Sequence, residues 1–408
     1  LSQYRMLWNI SVDGEAVSSG IVENLNIAPR KTETVDLGFK TIPQADADIF
    51  LNVSYVLKTA DGVLPAGTEV AYDQMALYEA PASAYAAGSA AGNAMAVASV
   101  GDNLEFTGTY KAPGTTAERN VAWKAVFDKT TGLLTSYENA GVQMLKEPLM
   151  PSFWRAPVEN DMGAGMHKKF RMWRNPELKP VSMDIAEAEG YTCLTVVYRP
   201  FGDVCDIEMT YRDYGDGAIS CTEKLKDAGS LSKATPMFRF GMKFTMPGEF
   251  STLDFYGYGP WENYSDRCSA ALMGRYVQSV SDQYHYGYPR TQESGTKTGL
   301  RWMRVLDASG KGIEITSDAR FSGSAIPFSI DDMDCTVIDP NPRPNPTNNQ
   351  QGVAKHSLEL IPLAHRDARA LGSTYVNFEL KQMGVGGINS WGTWPLEAYR
   401  VTAEDMEF

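Results

Sequence analysis

Short runs of alternating apolar and polar residues recur along most of this chain, separated by turn signals. Met6-Leu7-Trp8-Asn9-Ile10-Ser11-Val12 has period two and ends at Asp13-Gly14, a strong hairpin signal. Ala16 to Gly20, Thr34 to Leu37, Asp48 to Leu57 and Val70 to Tyr72 repeat the pattern with no helical period between them. Residues 1–80 are therefore expected to form a small β-sandwich of about six or seven strands. Residues 81–99 change character. Pro81-Ala82-Ser83-Ala84-Tyr85-Ala86-Ala87-Gly88 and the alanines after it are small and unpatterned, and they read as a linker.

Strands resume at Leu104. Val121 to Phe127 runs through Asp128-Lys129-Thr130-Thr131-Gly132 into Leu133 to Tyr137, a hairpin with glycine at its bend. Similar runs cover Thr192 to Tyr198, Val204 to Tyr211, Ala218 to Leu225, Phe238 to Phe244, Leu300 to Leu306 and Gly312 to Thr316. Residues 100–408 are expected to build one large antiparallel β-sandwich with a broad concave face. Asp339-Pro340-Asn341-Pro342-Arg343-Pro344-Asn345-Pro346 reads as a surface loop, because alternating prolines cannot enter a central strand. The expected fold class is all-β. The first unit has the strand spacing of an immunoglobulin-like sandwich, without the Cys…Trp…Cys pattern of antibody domains.

Composition narrows the function. A formal net charge of −13 argues against a nucleic-acid partner and offers no basic patch to an anionic membrane. No apolar run is long enough to span a bilayer. Cys193, Cys205, Cys221, Cys268 and Cys335 are odd in number and contain no C-x-x-C pair, so buried free thiols are the expectation. His167, His285, His356 and His365 have no metal-binding spacing, and no metal site is assigned. The start at Leu1-Ser2-Gln3 looks like a cut into a longer polypeptide, which leaves a soluble chain's compartment open between cytoplasm and periplasm.

Three clusters concentrate the polar chemistry. Phe153-Trp154-Arg155-Ala156-Pro157-Val158-Glu159-Asn160-Asp161 could stack a sugar ring on Trp154 and bind hydroxyls through Arg155. The planar fork of Arg155 reads first as a structural partner for a carboxylate. Gly257-Tyr258-Gly259-Pro260-Trp261-Glu262-Asn263-Tyr264-Ser265-Asp266-Arg267 is either an aromatic corner or a sugar-stacking surface, the corner being the first reading. A glycosidase needs two carboxyls about 5 Å apart, or about 6.5–9.5 Å apart, across the sugar. Nothing in the spacing of Glu262 and Asp266 places them so, and no catalytic residue is assigned. Gln382-Met383-Gly384-Val385-Gly386-Gly387-Ile388-Asn389-Ser390-Trp391-Gly392-Thr393-Trp394 is a glycine-rich loop. Its Trp391 would suit the apolar face of a hexose, with Asn389 and Trp394 as weaker candidates.

In this order, the three clusters resemble the C-terminal β-domain, or small chain, of the β-galactosidases of glycoside hydrolase family 2. Phe127 to Leu134 and His356 to Leu360 look like the same family's, and residues 4–80 are similar to the immunoglobulin-like domain before that module. The resemblance covers essentially the whole chain. It implies a last domain akin in fold to galactose mutarotases, and a parent enzyme that hydrolyses terminal β-D-galactosides with retention. In the family both catalytic glutamates, and the main Mg²⁺ and Na⁺ sites, belong to a preceding TIM barrel, and no βα repeat occurs here. The resemblance thus implies a non-catalytic tail without cofactors of its own. Its partners would be the missing N-terminal and barrel domains, a β-galactoside and, as is common in the family, further copies of itself. Trp391 matches the position from which the family's sandwich offers a tryptophan to the aglycone. Rival readings are a free-standing carbohydrate-binding module and, on fold analogy alone, a mutarotase-like enzyme.

Overall fold

The computed structural model describes residues 1–39, 46–86, 95–111, 120–188, 190–288, 290–336, 372–389 and 392–408. The Pro/Asn-rich stretch 339–346, His356 to Leu360 and His365 lie outside the described residues, as do Ser390 and Trp391.

Asp13 and Gly14 both adopt positive φ, 48° and 84°, and join β1 (Tyr4–Val12) to β2 (Glu15–Val22) as the hairpin signal predicts. With β3 (Ile49–Leu57) and β4 (Glu69–Tyr78) they form one antiparallel sheet in the order β2-β1-β3-β4. Met6, Trp8 and Ile10 line one face with Leu51 and Val53. The pattern predicts more strands than form among the described residues of this unit. Val35, Leu37 and Phe39 do alternate, but they lie in irregular chain and spend their apolar side chains covering the sheet face, Phe39 against Trp8. Alternation reports a buried side of the chain, and that side can face a core without joining a ladder.

The 81–99 stretch is not all linker. A single 3₁₀ turn spans Ala82–Ala84, and β5 (Met95–Val100) begins inside the stretch and pairs with β6 (Asn103–Lys111). Its residues are small and mostly exposed, which suits an edge strand and hides the strand from a reading based on burial.

The large unit contains β7 (Asn120–Asp128), β8 (Leu134–Asn139), β9 (Val142–Gln143) and β10 (Glu147–Ser152). It continues with β11 (Pro180–Ala188), β12 (Tyr191–Tyr198), β13 (Cys205–Asp213) and β14 (Ile219–Asp227). Next come β15 (Arg239–Pro247), β16 (Thr252–Gly259), β17 (Leu272–Ser279), β18 (Lys297–Leu306) and β19 (Gly312–Ile326). The last strands are β20 (Ser373–Gln382) and β21 (Met406–Glu407). One sheet runs β17-β16-β18-β19-β20-β15-β10-β8-β7-β6-β5, with β9 on β8, and a second runs β11-β12-β13-β14-β21. Leu194, Val196 and Tyr198 of β12 and Phe240, Met242, Phe244 and Met246 of β15 belong to one buried core. Helices are short: α1 (Glu159–Gly163), α2 (Met166–Lys169) and α3 (Ile330–Met333). The fold is an all-β sandwich with antiparallel sheets, as the alternation predicts, and all five cysteines are free thiols.

The two units meet over a polar, buried contact. Asp48, fully buried before β3, accepts hydrogen bonds from Arg301 Nε at 2.5 Å, the Ala80 amide at 2.9 Å and the Tyr256 hydroxyl at 3.3 Å. Tyr85, from the expected linker, donates its hydroxyl to Asp13 and accepts the Asp48 amide at 2.8 Å. Phe50, Tyr256 and Met273 pack beside this cluster.

Candidate functional site

The three polar clusters of the sequence converge on one loop. β20 ends at Gln382, and Met383 to Gly386 leave the sheet with their backbone polar groups served from several directions. The amide of Met383 donates to the Phe238 carbonyl and that of Gly384 to the Tyr399 carbonyl, both at 2.8 Å. Asp266 takes the next two amides, Val385 on Oδ1 and Gly386 on Oδ2, each at 2.9 Å. Arg155 donates to the carbonyls of Met383 and Gly384, the second at 3.1 Å, and Asn160 Nδ2 donates to the Val385 carbonyl at 3.0 Å. A backbone removed from water needs this accounting, and here seven consecutive groups are satisfied.

Glycine is required where this loop touches its supports. A Cβ on Gly384 would sit 2.4 Å from Asp266 Oδ2, and one on Gly392 would sit 2.4 Å from the Gly163 backbone. Gly386 and Gly387 have φ of 75° and 96°, which turns the chain outward. Gly387, Ile388 and Asn389 are exposed beyond the clamp, and Gly392 brings the chain back onto α1.

Of the predicted site residues, Asn389 lies on this exposed segment, and Trp391 falls outside the described residues. Trp394 is half-buried, edge-on to Phe170 at 5.4 Å, with Lys169 Nζ and Arg400 Cζ each 5.3 Å from its ring centre. Trp154 and Arg155 are not at the surface. Trp154 donates its indole N–H to Asp334 at 3.0 Å and packs edge-on against Phe238 at 4.9 Å, while Arg174 lies over its ring. Arg155 has no exposed surface and is paired in bidentate fashion with Asp161 at 2.9 and 3.0 Å, its guanidinium stacked over Phe238. These contacts answer to the structural reading of that cluster. Arg155 supports the loop through its carbonyls, and the two buried side chains leave no ring face or fork open to a solute.

Glu262 is committed in the same way. It accepts hydrogen bonds from Arg267 and Tyr288 at 2.5 Å each, and from Ser294 Oγ and the Gly295 amide at 2.9 Å each. Burial alone would raise its carboxyl, but Tyr288, the Gly295 amide, Arg267 and Ser294 together hold it below the usual range. Trp261, one residue before, is 72% exposed while Tyr264 is 2% exposed, so this turn splits into a packed corner and a presented indole. The sequence named Asp266 and Asn160, but which backbone groups they serve could not be read from spacing, because those partners lie 119 to 225 residues away.

A cleft of about 230 Å³ lies beside the loop, lined by residues that include Ser265, Thr298, Gln382 and Tyr399. This is smaller than the pockets that enclose most small-molecule ligands. No group of three His, Cys, Asp or Glu among the described residues could hold a metal ion. His285 packs edge-on against Tyr288, and the ring of His167 lies near the Asp161 backbone.

Residues 119–408 match the family model of the β-galactosidase small chain, and residues 1–78 match that of β-galactosidase domain 4. The chain belongs to the β-galactosidase small-chain family. It is similar to a β-galactosidase of Priestia megaterium, 28% identical over 396 residues that make up 96% of this chain and 34% of that protein. A β-galactosidase of Halalkalibacterium halodurans is 31% identical over 293 residues, 70% of this chain and 26% of that protein. β-Galactosidase BgaC of Bifidobacterium adolescentis is 27% identical, with 98% of this chain and 35% of that protein covered. The small-chain sequence thus spans about a third of the length of the curated relatives that it matches end to end.

Proposed function

We propose that this chain is the non-catalytic C-terminal part of a retaining, family 2 β-galactosidase, which acts on terminal non-reducing β-D-galactosides. Its share of the work is to complete the aglycone side of the active site with the loop after β20. The observation that carries this reading is the clamped loop itself. Two distant clusters spend their charged side chains on fixing four residues, and the segment they fix then projects into solvent with Asn389 on it. Trp391, just beyond, is the proposed stacking partner for the sugar. The carboxyls of Glu262 and Asp266 are engaged by donors on both oxygens, which supports a scaffold role for the pair and is consistent with an acid/base and nucleophile supplied from outside this chain.

The test is hydrolysis of an aryl β-galactoside by this chain alone and by this chain mixed with the preceding part of a β-galactosidase. Activity is expected only in the mixture. Turnover by the chain alone would overturn the assignment of roles.

A further inference from the structure

We infer that Asp266 is a positioning residue for sugar binding, one that sets the conformation of the loop after β20 without touching substrate. The inference rests on the proposed aglycone role of that loop. Two successive amides, Val385 and Gly386, point at the two oxygens of one carboxylate at equal distances of 2.9 Å. Consecutive amides aimed at one point form an anion-binding concavity, and this chain fills it with its own side chain. Gly386 and Gly387, with positive φ, turn the chain immediately after these amides, so the carboxylate fixes the segment from which Ile388 and Asn389 are aimed outward.

Asp266 is fixed in its turn. Tyr264 and Arg267 exchange backbone hydrogen bonds at 3.2 and 2.8 Å around it, and Arg267 is anchored to Glu262 and Tyr288. Arg267 therefore spends its guanidinium on Glu262, which leaves the loop amides as the partners of Asp266. On the opposite side Arg155 takes carbonyls of the same stretch. A cation on the carbonyls and an anion on the amides hold one segment from both ends of its peptide dipoles. Arg155 is wholly buried and its loss would damage folding, whereas Asp266 is only half-buried. That makes Asp266 the residue at which positioning can be separated from folding.

The experiment compares wild type with Asp266→Ala, Asp266→Asn and the control Glu262→Gln in the intact β-galactosidase polypeptide. Hydrogen exchange at Val385 and Gly386 and steady-state kinetics on lactose and an aryl β-galactoside are read in parallel. In Asp266→Ala both amides should exchange about tenfold faster, and KM for lactose should rise about tenfold, while kcat for the aryl substrate stays within about twofold, as expected for loss of charge-assisted hydrogen bonds. Asp266→Asn, with one acceptor oxygen left, should fall between wild type and Asp266→Ala. Glu262→Gln keeps an acceptor oxygen for Arg267, so the turn that holds Asp266 stays closed and the two amides should remain protected. Unchanged exchange in Asp266→Ala overturns the clamp. Equal loss of kcat on both substrates, matched by Glu262→Gln, overturns the positioning role in favour of a general structural one. An inactive wild type would sink the functional reading, and the exchange data would still decide whether Asp266 fixes the loop.

Discussion

Arg155 is a buried cation whose every direction is occupied. Asp161 takes Nε and Nη2, the Met383 carbonyl takes Nη1, the Gly384 carbonyl shares Nη2, and Phe238 lies under its plane. Asp161 in turn accepts the Val158 amide at 2.9 Å and so starts α1. Lysine offers a point charge with three donors and no planar fork, and could not serve a bidentate carboxylate and two divergent carbonyls together. Arg155→Lys should therefore cost about 3–5 kcal/mol, the range for breaking a buried ion pair. Urea unfolding monitored by tryptophan fluorescence measures it, and a cost under about 1 kcal/mol, normal for exposed pairs, would refute the account. The sequence marked Arg155 as a structural cation and Asp161 lay in the same motif. The two carbonyls, 228 and 229 residues downstream, could not be read, because only the sheet order brings β20 beside this bend.

At the scale of elements, the boundary between the two units shows what periodicity can and cannot report. The alternating runs at 6–12 and 48–57 became β1 and β3, and the turn at Asp13-Gly14 formed as expected. The contact that joins the units left no periodic trace. It is made by single polar residues, with Asp48 ahead of β3, Tyr85 in an alanine-rich stretch and Arg301 inside β18. The side chains of Asp48 and Arg301 are 0% and 4% exposed, whereas those of Glu15 and Arg275 across the same boundary are 72% and 40% exposed at 3.5 Å. A double-mutant cycle on Asp48→Asn and Arg301→Met should give a coupling of about 2–4 kcal/mol, because each single change leaves a buried partner unpaired. The cycle on Glu15→Gln and Arg275→Met should give about 0–0.5 kcal/mol, since solvent screens that pair. Equal couplings would mean that burial does not govern this boundary.

The whole molecule carries two opposed sets of carboxyls, and their balance sets how stability responds to pH. Glu262 is held below its ordinary range, so its contribution is present above the unfolded value and is lost as pH falls through the folded one. Glu379 behaves oppositely. Burial lifts its carboxyl to about 7 against a pull from Arg239, whose Nε is 3.9 Å away, and Glu293 pushes it further up. Burial also lifts Asp213 to about 6 and Glu223 well above its ordinary value, the carboxyl oxygens of Glu223 having no hydrogen-bond partner among the described residues. For these three the folded state keeps a proton that the unfolded chain releases near pH 4.5 for Glu379 and Glu223 and near pH 3.8 for Asp213. Bound protons then number more in the native state, and the free energy of unfolding falls as pH rises from about 4.5 towards 7. The net charge of −13 adds self-repulsion in the same direction. Composition announced that charge, but which acids are buried follows from strand faces and could not be counted from the sequence. Glu379→Gln removes the titration while keeping a neutral side chain of the same shape. Relative to wild type it should gain up to about 3 kcal/mol more at pH 8 than at pH 4.5, the equivalent of a shift from 4.5 to about 7. Urea unfolding at the two pH values decides the matter. An identical effect at both would mean that Glu379 is ionised in the folded protein throughout, and that its pairing with Arg239 outweighs its burial.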